Sequence, residues 1–305
     1  MLLSSNSDLG APDGTQCCTE AHHQWLDEQL VDASQFIDDI IAIVRDRTSV
    51  DFSLYRRATI QRRIGNRMIS VGESSLGAYL QRLRADAEEA SHLLERLTIK
   101  VSRFYRNART FDFLMSEVIP TLAKMCDGAP LRVWSAGCGC GEEAYTLAML
   151  LDCAGVAGTV EATDIDPAAL AFARVGIYRA EALAELPQYL AGAYLEPLEG
   201  KGESRYRVGA ALRERVHFSH HDLTAVAPHA GASFDLVCCR NVLIYLGRDA
   251  QRHAFEILNL SLRNGGFLCI GEAEWPLPEV SDDLASQGCQ TQVFRRVVRG
   301  ERTER

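Results

Sequence analysis

A short apolar run, Leu131-Arg132-Val133-Trp134, leads into Ser135-Ala136-Gly137-Cys138-Gly139-Cys140-Gly141-Glu142-Glu143-Ala144 and then into a helical stretch ending near Leu151. No other segment restricts the fold as strongly. Three glycines at alternate positions between a strand and a helix let the backbone pass close to a nucleotide-like ligand. The next apolar run, Thr159 to Thr163, ends at Asp164 in Ala162-Thr163-Asp164-Ile165-Asp166. An acid at the end of the second strand, about twenty residues on, is placed to bind two ribose hydroxyls.

The alternation continues on both sides of that unit. Pro167 to Arg174 reads as a helix, and Val216 to Ser219 and Phe234 to Cys239 read as buried strands. Residues 265–271 and 291–297 read as the last two strands. With no helical crossover between them, the final strand is expected to run antiparallel. Residues 176–212 break the pattern, and Arg205-Tyr206-Arg207-Val208 after a Gly-Lys-Gly-Glu-Ser run predicts a small hairpin insertion. Upstream the texture is helical: Ile37, Ile40, Ile41 and Val44, and again Leu76, Tyr79, Leu80 and Leu83, fall at helical spacing. The expected organisation is a tail over 1–33, a helical bundle over 34–109, and an α/β domain over 110–300 carrying the insertion at about 176–212.

The net charge of -9 argues against a protein built around nucleic acid. It conceals a basic amino-terminal third, however. Arg56, Arg57, Arg62, Arg63 and Arg67 occur with no acid between Phe52 and Gly72. Arg56, Arg63 and Arg67 at i, i+7 and i+11 share one side of a helix, a stripe suited to an acidic partner. No apolar run is long enough to span a membrane and no basic region precedes the opening Leu pair, so a cytoplasmic protein without membrane insertion is expected. The ten cysteines lack CxxC spacing and several sit in apolar runs, which predicts reduced thiols and no metal.

NAD and S-adenosylmethionine (SAM) both satisfy the glycine pattern, since Gly139-x-Gly141-x-x-Ala144 also passes as a dinucleotide fingerprint. The closing β-strands and the Cys239-Arg240-Asn241-Val242 segment favour a SAM-dependent methyltransferase. Several stretches together resemble one family, the chemotaxis-receptor protein-glutamate O-methyltransferases (CheR type). They are Tyr55 to Met68, Leu97 to Asn107, Trp134 to Cys138 with Gly141 to Tyr145, Ala162 to Asp166, and Phe234 to Leu246. The resemblance implies a Rossmann-like SAM-dependent methyltransferase with an N-terminal all-helical domain and a small inserted β-subdomain. It implies SAM contacts at Lys100, Ser102, Arg106, Gly137, Glu143, Asp164, Asp222, Leu223, Asn241 and Val242, and S-adenosylhomocysteine as product. Lys100 stands where the family usually has Asn, and Asp222 where it has Asn.

The reaction so implied is attack by a glutamate carboxylate on the sulfonium methyl, giving a methyl ester. Such a carboxylate is already ionised near neutral pH, so placement rather than a strong base is the task. Arg106 and Tyr245 are the candidate catalytic residues. The implied partner is a chemoreceptor-like protein with acidic helices, docking on Arg56, Arg63 and Arg67. Another carboxylate substrate, or a non-catalytic SAM-binding signalling role, are the alternatives. In some members of the family the inserted subdomain also captures a receptor tail by strand addition, which the glycines between Leu198 and Tyr206 would permit.

Overall fold

A computed structural model of the chain describes residues 33–98, 102–199, 203–224, 233–288 and 291–297. The expected tail over 1–33 therefore falls almost wholly outside the described residues. Among the described residues four helices come first: α1 (33–48), α2 (Arg57–Ser70), α3 (Leu76–Ala85) and α4 (Glu89–Leu97). Each buries one stripe, with Ile40 and Val44, Ile60 and Ile64, Tyr79 and Leu83, and Leu93 and Leu97 meeting in a common core. The Ser75 hydroxyl caps α3 by accepting from the Ala78 N–H at 3.2 Å. The packed residues of the bundle stop at Leu97. Phe104, Tyr105 and Phe111 already belong to the core of the α/β part, short of the boundary expected at residue 109.

Seven strands form the main sheet in the order β6-β2-β1-β7-β8-β10-β9. They are β1 (Leu131–Ala136), β2 (Gly158–Asp164), β6 (Val216–His220), β7 (Phe234–Cys239), β8 (Leu262–Ile270), β9 (Leu284–Gln287) and β10 (Val293–Arg296). Strands β6, β2, β1, β7 and β8 run parallel, and β10 is antiparallel to both β8 and β9. All six residues of β7 are buried, as a central parallel strand requires. Helices α5 (Ala108–Phe113) and α6 (Ile119–Met125) precede β1, α7 (Glu142–Cys153) follows it and α8 (Pro167–Val175) follows β2. Asp166 caps α8 by accepting from the Ala168 and Ala169 N–H groups, Pro167 starts the helix, and Gly176 at φ +65° ends it. Between Gly176 and β6 lies a second sheet of β3 (Ile177–Arg179), β5 (Arg205–Val208) and β4 (Leu195–Leu198), all antiparallel.

Two expectations are corrected here. The insertion holds three strands rather than one hairpin, because β3 is too short to show any alternation. The closing part of the main sheet likewise has a strand more than expected, β9, whose half-buried Leu-Ala-Ser-Gln carries no apolar run.

Among the cysteines, Cys138, Cys238, Cys239 and Cys269 are buried, and none of the described cysteines is in a disulfide. Burial pushes the thiols of Cys138, Cys238 and Cys239 far above their ordinary value. No helix among the described residues is long and apolar enough to cross a membrane.

The arginine stripe also requires correction. Arg67 turns into the bundle, where Nε and Nη2 donate to the two oxygens of Glu89 at 2.8 and 2.6 Å, and the Tyr79 hydroxyl donates to Glu89 Oε1 at 2.7 Å. Burial raises the Glu89 carboxyl, but the hydrogen bonds from Arg67 and Tyr79 outweigh it and hold the group below the usual carboxylate range. Arg63 Nη1 donates to the carbonyls of Arg96 and Leu97 at 2.6 and 3.3 Å, and Arg56 Nε donates to that of Leu246 at 3.2 Å. Arg67 is therefore a structural residue. Replacing it with Ala strands a carboxylate with 1% exposure, and unfolding in urea should show a loss of about 3 kcal/mol. An unchanged midpoint would return Arg67 to the surface.

Candidate functional site

The strand order reverses at β1, with β2 on one side and β7 on the other, and open α/β sheets bind ligands beyond the carboxyl ends of strands at such a point. Three segments leave the sheet there: the glycine loop after β1, Asp164 at the end of β2, and Arg240 after β7. Gly137 adopts φ +76°, and a Cβ on it would come within 2.4 Å of Val242 Cγ2, so the glycine loop and the segment after β7 touch because this residue has no side chain. Asp164 fixes the loop from the other side. Its Oδ2 accepts from the Gly139 N–H at 2.7 Å and its Oδ1 from the Asp166 N–H at 2.9 Å.

These segments enclose a cavity of about 420 Å³ that the helical bundle roofs. The bundle is held down by several bonds. Thr98 Oγ1 donates to Asp166 Oδ2 at 2.8 Å, the Arg56 N–H to the Tyr245 carbonyl at 2.8 Å, and the Gly247 N–H to the Leu54 carbonyl at 2.8 Å. Ser102, Arg106, Gly137, Glu143, Asp164, Asp222, Leu223, Asn241, Val242 and Tyr245 all line this one cavity. Lys100 lies outside the described residues.

A buried ion pair underlies the site. Glu143, in the first turn of α7, accepts from Ser135 Oγ at 2.8 Å and lies 3.4 Å from Arg240 Nη1. Burial pushes the Glu143 carboxyl up, and the Arg240 charge and the Ser135 hydroxyl oppose it. Arg240, whose side chain is 3% exposed, also donates through Nη2 to the Arg106 carbonyl at 2.7 Å and to Asn107 Oδ1 at 2.8 Å. Its guanidinium lies 4.9 Å from the centre of the Phe111 ring. One cation thus ties the loop bearing Arg106 to α7 and to the Asn241 segment.

Sequence reasoning did not pick out Arg240, Tyr55, Thr98, Arg103 or His221, which share the cavity. An arginine directly after the Leu236-Val237-Cys238-Cys239 apolar run was the available signal for the first. Tyr55 sits close enough to Asp222 and Asp164 that burial, then those two charges, drive its hydroxyl to hold its proton. Glu142, in the first turn of α7, is buried. It accepts from the Ser102 hydroxyl, its Oε2 has no hydrogen-bond partner among the described residues, and burial pushes the carboxyl up to about 7.

Residues 36–98 match the CheR methyltransferase all-alpha domain, and residues 100–293 match the CheR methyltransferase SAM-binding domain. The chain belongs to the CheR methyltransferase family. A chemotaxis protein methyltransferase of Listeria innocua is 34% identical over 249 residues, covering 80% of this chain and 91% of that protein. An uncharacterized 104.1 kDa protein of Rhodobacter capsulatus is 33% identical over 272 residues, 87% of this chain, and the match spans only 28% of that protein. A probable biofilm formation methyltransferase of Pseudomonas putida, WspC, is 30% identical over 239 residues, 77% of this chain and 55% of the relative.

The cofactor of this CheR-family chain is S-adenosylmethionine, and the cavity fits it chemically. Carboxylates at Glu143, Asp164 and Asp222 suit a ligand with an ammonium group and ribose hydroxyls, Arg106 suits its carboxylate, and Leu223 and Val242 offer apolar walls.

Two outcomes are expected from this geometry. Asp164→Ala removes both the acid facing the cavity and the acceptor that shapes the glycine loop. Calorimetric titration should show SAM binding weakened by about 1 to 3 kcal/mol, and unchanged affinity would remove Asp164 from the site. Glu142 has a folded-state pKa raised from 4.5 to about 7, so its contribution to stability is present below about pH 4.5 and is lost as pH rises through 7. Glu142→Gln should therefore melt higher than the parent at pH 8 and flatten the stability profile between pH 5 and 7. Parallel profiles for the two proteins would contradict this account of Glu142.

Proposed function

We propose that the chain methylates glutamate side chains of chemoreceptor-like signalling proteins in the cytoplasm, forming methyl esters. The observation that carries this reading is the mixed charge of the cavity lining. Glu143, Asp164 and Asp222 line it together with Arg62, Arg63, Arg103, Arg106 and Tyr245, and Arg62 and Arg103 are exposed to solvent. The acids suit a cationic cofactor and the arginines suit a substrate carboxylate. The names of relatives, such as the Listeria chemotaxis protein methyltransferase, point to the same substrate class.

In this reading Asp164 would hold the ribose, Glu143 the amino group, Arg106 the cofactor carboxylate, and Asp222 and Leu223 the base. Bound SAM would supply an electrophilic methyl group to the substrate carboxylate, with S-adenosylhomocysteine as the leaving group. A glutamate of pKa about 4.3 is ionised at neutral pH, so the chain need not supply a base. Its task is alignment, which for well-oriented reactants removes several kcal/mol or more of barrier. Arg106 and Tyr245 orient the carboxylate, and the buried Arg240 keeps the Arg106 loop in place. Arg56, just before α2, and Arg63, in the cavity lining, attract the acidic receptor helix, while Arg67 is withdrawn from that role by Glu89.

The test is incubation with methyl-labelled SAM and fragments of chemoreceptor signalling domains. Label on the fragment that is released by mild base identifies a glutamate ester, and base-stable label would assign another acceptor. The rate should fall as salt rises, because steering between exposed charges is screened over about 8 to 10 Å at physiological ionic strength. A salt-independent rate would count against docking by the arginines.

A further inference from the structure

The segment from Asn241 to Leu246 forms one wall of the cavity and is clamped from two sides. On one flank stands the start of α2. Tyr55 pairs with Leu246 in an antiparallel bridge, and the Arg63 guanidinium lies 5.9 Å from the centre of the Tyr245 ring. On the other flank stands Glu274, buried just beyond β8. Its Oε2 accepts from the N–H groups of Gly271 at 2.6 Å and Asn241 at 3.0 Å, and its Oε1 from that of Ile244 at 3.2 Å. The fit is tight, since a Cβ on Gly271 would meet Glu274 Oε2 at 2.7 Å and the Asn241 nitrogen at 2.8 Å. Asn241 itself is a non-glycine residue at φ +60°, a conformation that the clamp holds in place.

The next residue is Trp275, and its side chain is 68% exposed. The other described tryptophan, Trp134, is fully buried. Exposure here does not come from a loose loop. Glu274 pins the chain immediately before the indole, two prolines, Pro276 and Pro278, stiffen the backbone on its other side, and Leu277 and Val280 pack onto the core beneath β7 and β8. A large, amphipathic side chain left in solvent on a backbone that is held on both sides, one residue from the Glu274 clamp on a cavity wall, has the form of a binding anchor, because little backbone entropy remains to be lost when a partner covers it.

We propose that Trp275 is the apolar anchor for the protein substrate, a chemoreceptor-like helix bearing the glutamate to be methylated. This inference rests on the proposed function. The choice of occupant comes from the two flanks of the Asn241–Leu246 wall: arginines 56, 62 and 63 on the α2 side and an exposed indole on the Glu274 side. That pairing is complementary to a helix with an acidic stripe and an adjacent apolar stripe, laid across the mouth with its glutamate over Tyr245. The two flanks would then fix the rotation of the helix about its axis and so select which glutamates reach the cavity.

The test compares the full chain with Trp275→Ala and Trp275→Phe, using a receptor signalling-domain fragment and labelled SAM. Trp275→Ala should raise KM for the fragment about 10- to 30-fold while leaving kcat and the SAM dissociation constant unchanged, and Trp275→Phe should restore most of the loss. Tryptophan emission of the parent chain should shift to the blue on adding the fragment, and that shift should vanish in Trp275→Phe. An unchanged KM in Trp275→Ala, or an emission shift that survives in Trp275→Phe, overturns the anchor while leaving the methylation reading intact. Failure of the parent chain to place a base-labile methyl group on the fragment overturns the proposed function, and the anchor with it.

Discussion

The arrangement of the site depends on one buried charge, the guanidinium of Arg240. Without it Glu143 would be a carboxylate in the protein interior with only the Ser135 hydroxyl for company, and burial would drive it toward its neutral form. With it, the carboxylate has a counter-charge, and the arginine's second nitrogen holds the Arg106 carbonyl and the Asn107 side chain. Both partners sit where strand and helix ends meet, so the pair joins three chain segments distant in sequence. Such a pair adds little net stability against an apolar substitute of the same shape. Its value lies in orientation, because the loop bearing Arg106 has two non-glycine residues, Tyr105 and Asn107, in left-handed backbone that must be held by something.

The helical bundle is more than an appendage to the sheet. It donates Thr98 to Asp166, Tyr55 to the neighbourhood of two acids, and the Arg56 N–H to the Tyr245 carbonyl. The basic character of α2 is divided between two duties. Arg67 neutralises a buried acid of its own bundle, and Arg62 and Arg63 line the cavity. A helix can serve both purposes because positions seven and eleven residues apart from Arg56 lie on one side only nominally: side-chain length lets one arginine fold inward while another extends along the mouth.

Much of the parallel sheet was legible because β1, β7 and β8 carry short apolar runs, and a glycine loop and an acid at the end of β2 follow at diagnostic spacing. The elements that escaped are those with no apolar pattern to read. Strand β3 is three residues long, and β9 is half-buried Leu-Ala-Ser-Gln, so tertiary pairing alone defines them. At the site, the residues that converge from the glycine loop and from the strand ends were expected there. Arg240 was not, since a charged residue beside an apolar strand looks the same in sequence whether it is solvated or buried. The arginine stripe shows the converse error. Periodicity places Arg67 on a face but cannot reveal that Glu89, on another helix, is aligned to take both of its guanidinium donors.

The thiols of the central sheet have a consequence for chemistry outside the reaction. Cys238 on β7 and Cys269 on β8 are register partners in adjacent strands, and Cys239 comes next in the same buried strand. Exchange and oxidation require thiolate, and burial keeps Cys238 and Cys239 protonated as well as out of reach. The exposed Cys153 and the half-buried Cys126 and Cys140 remain accessible. A cell under oxidative stress would therefore mark this protein first at Cys153, Cys126 and Cys140, with the central strands of the sheet among the last parts to be altered.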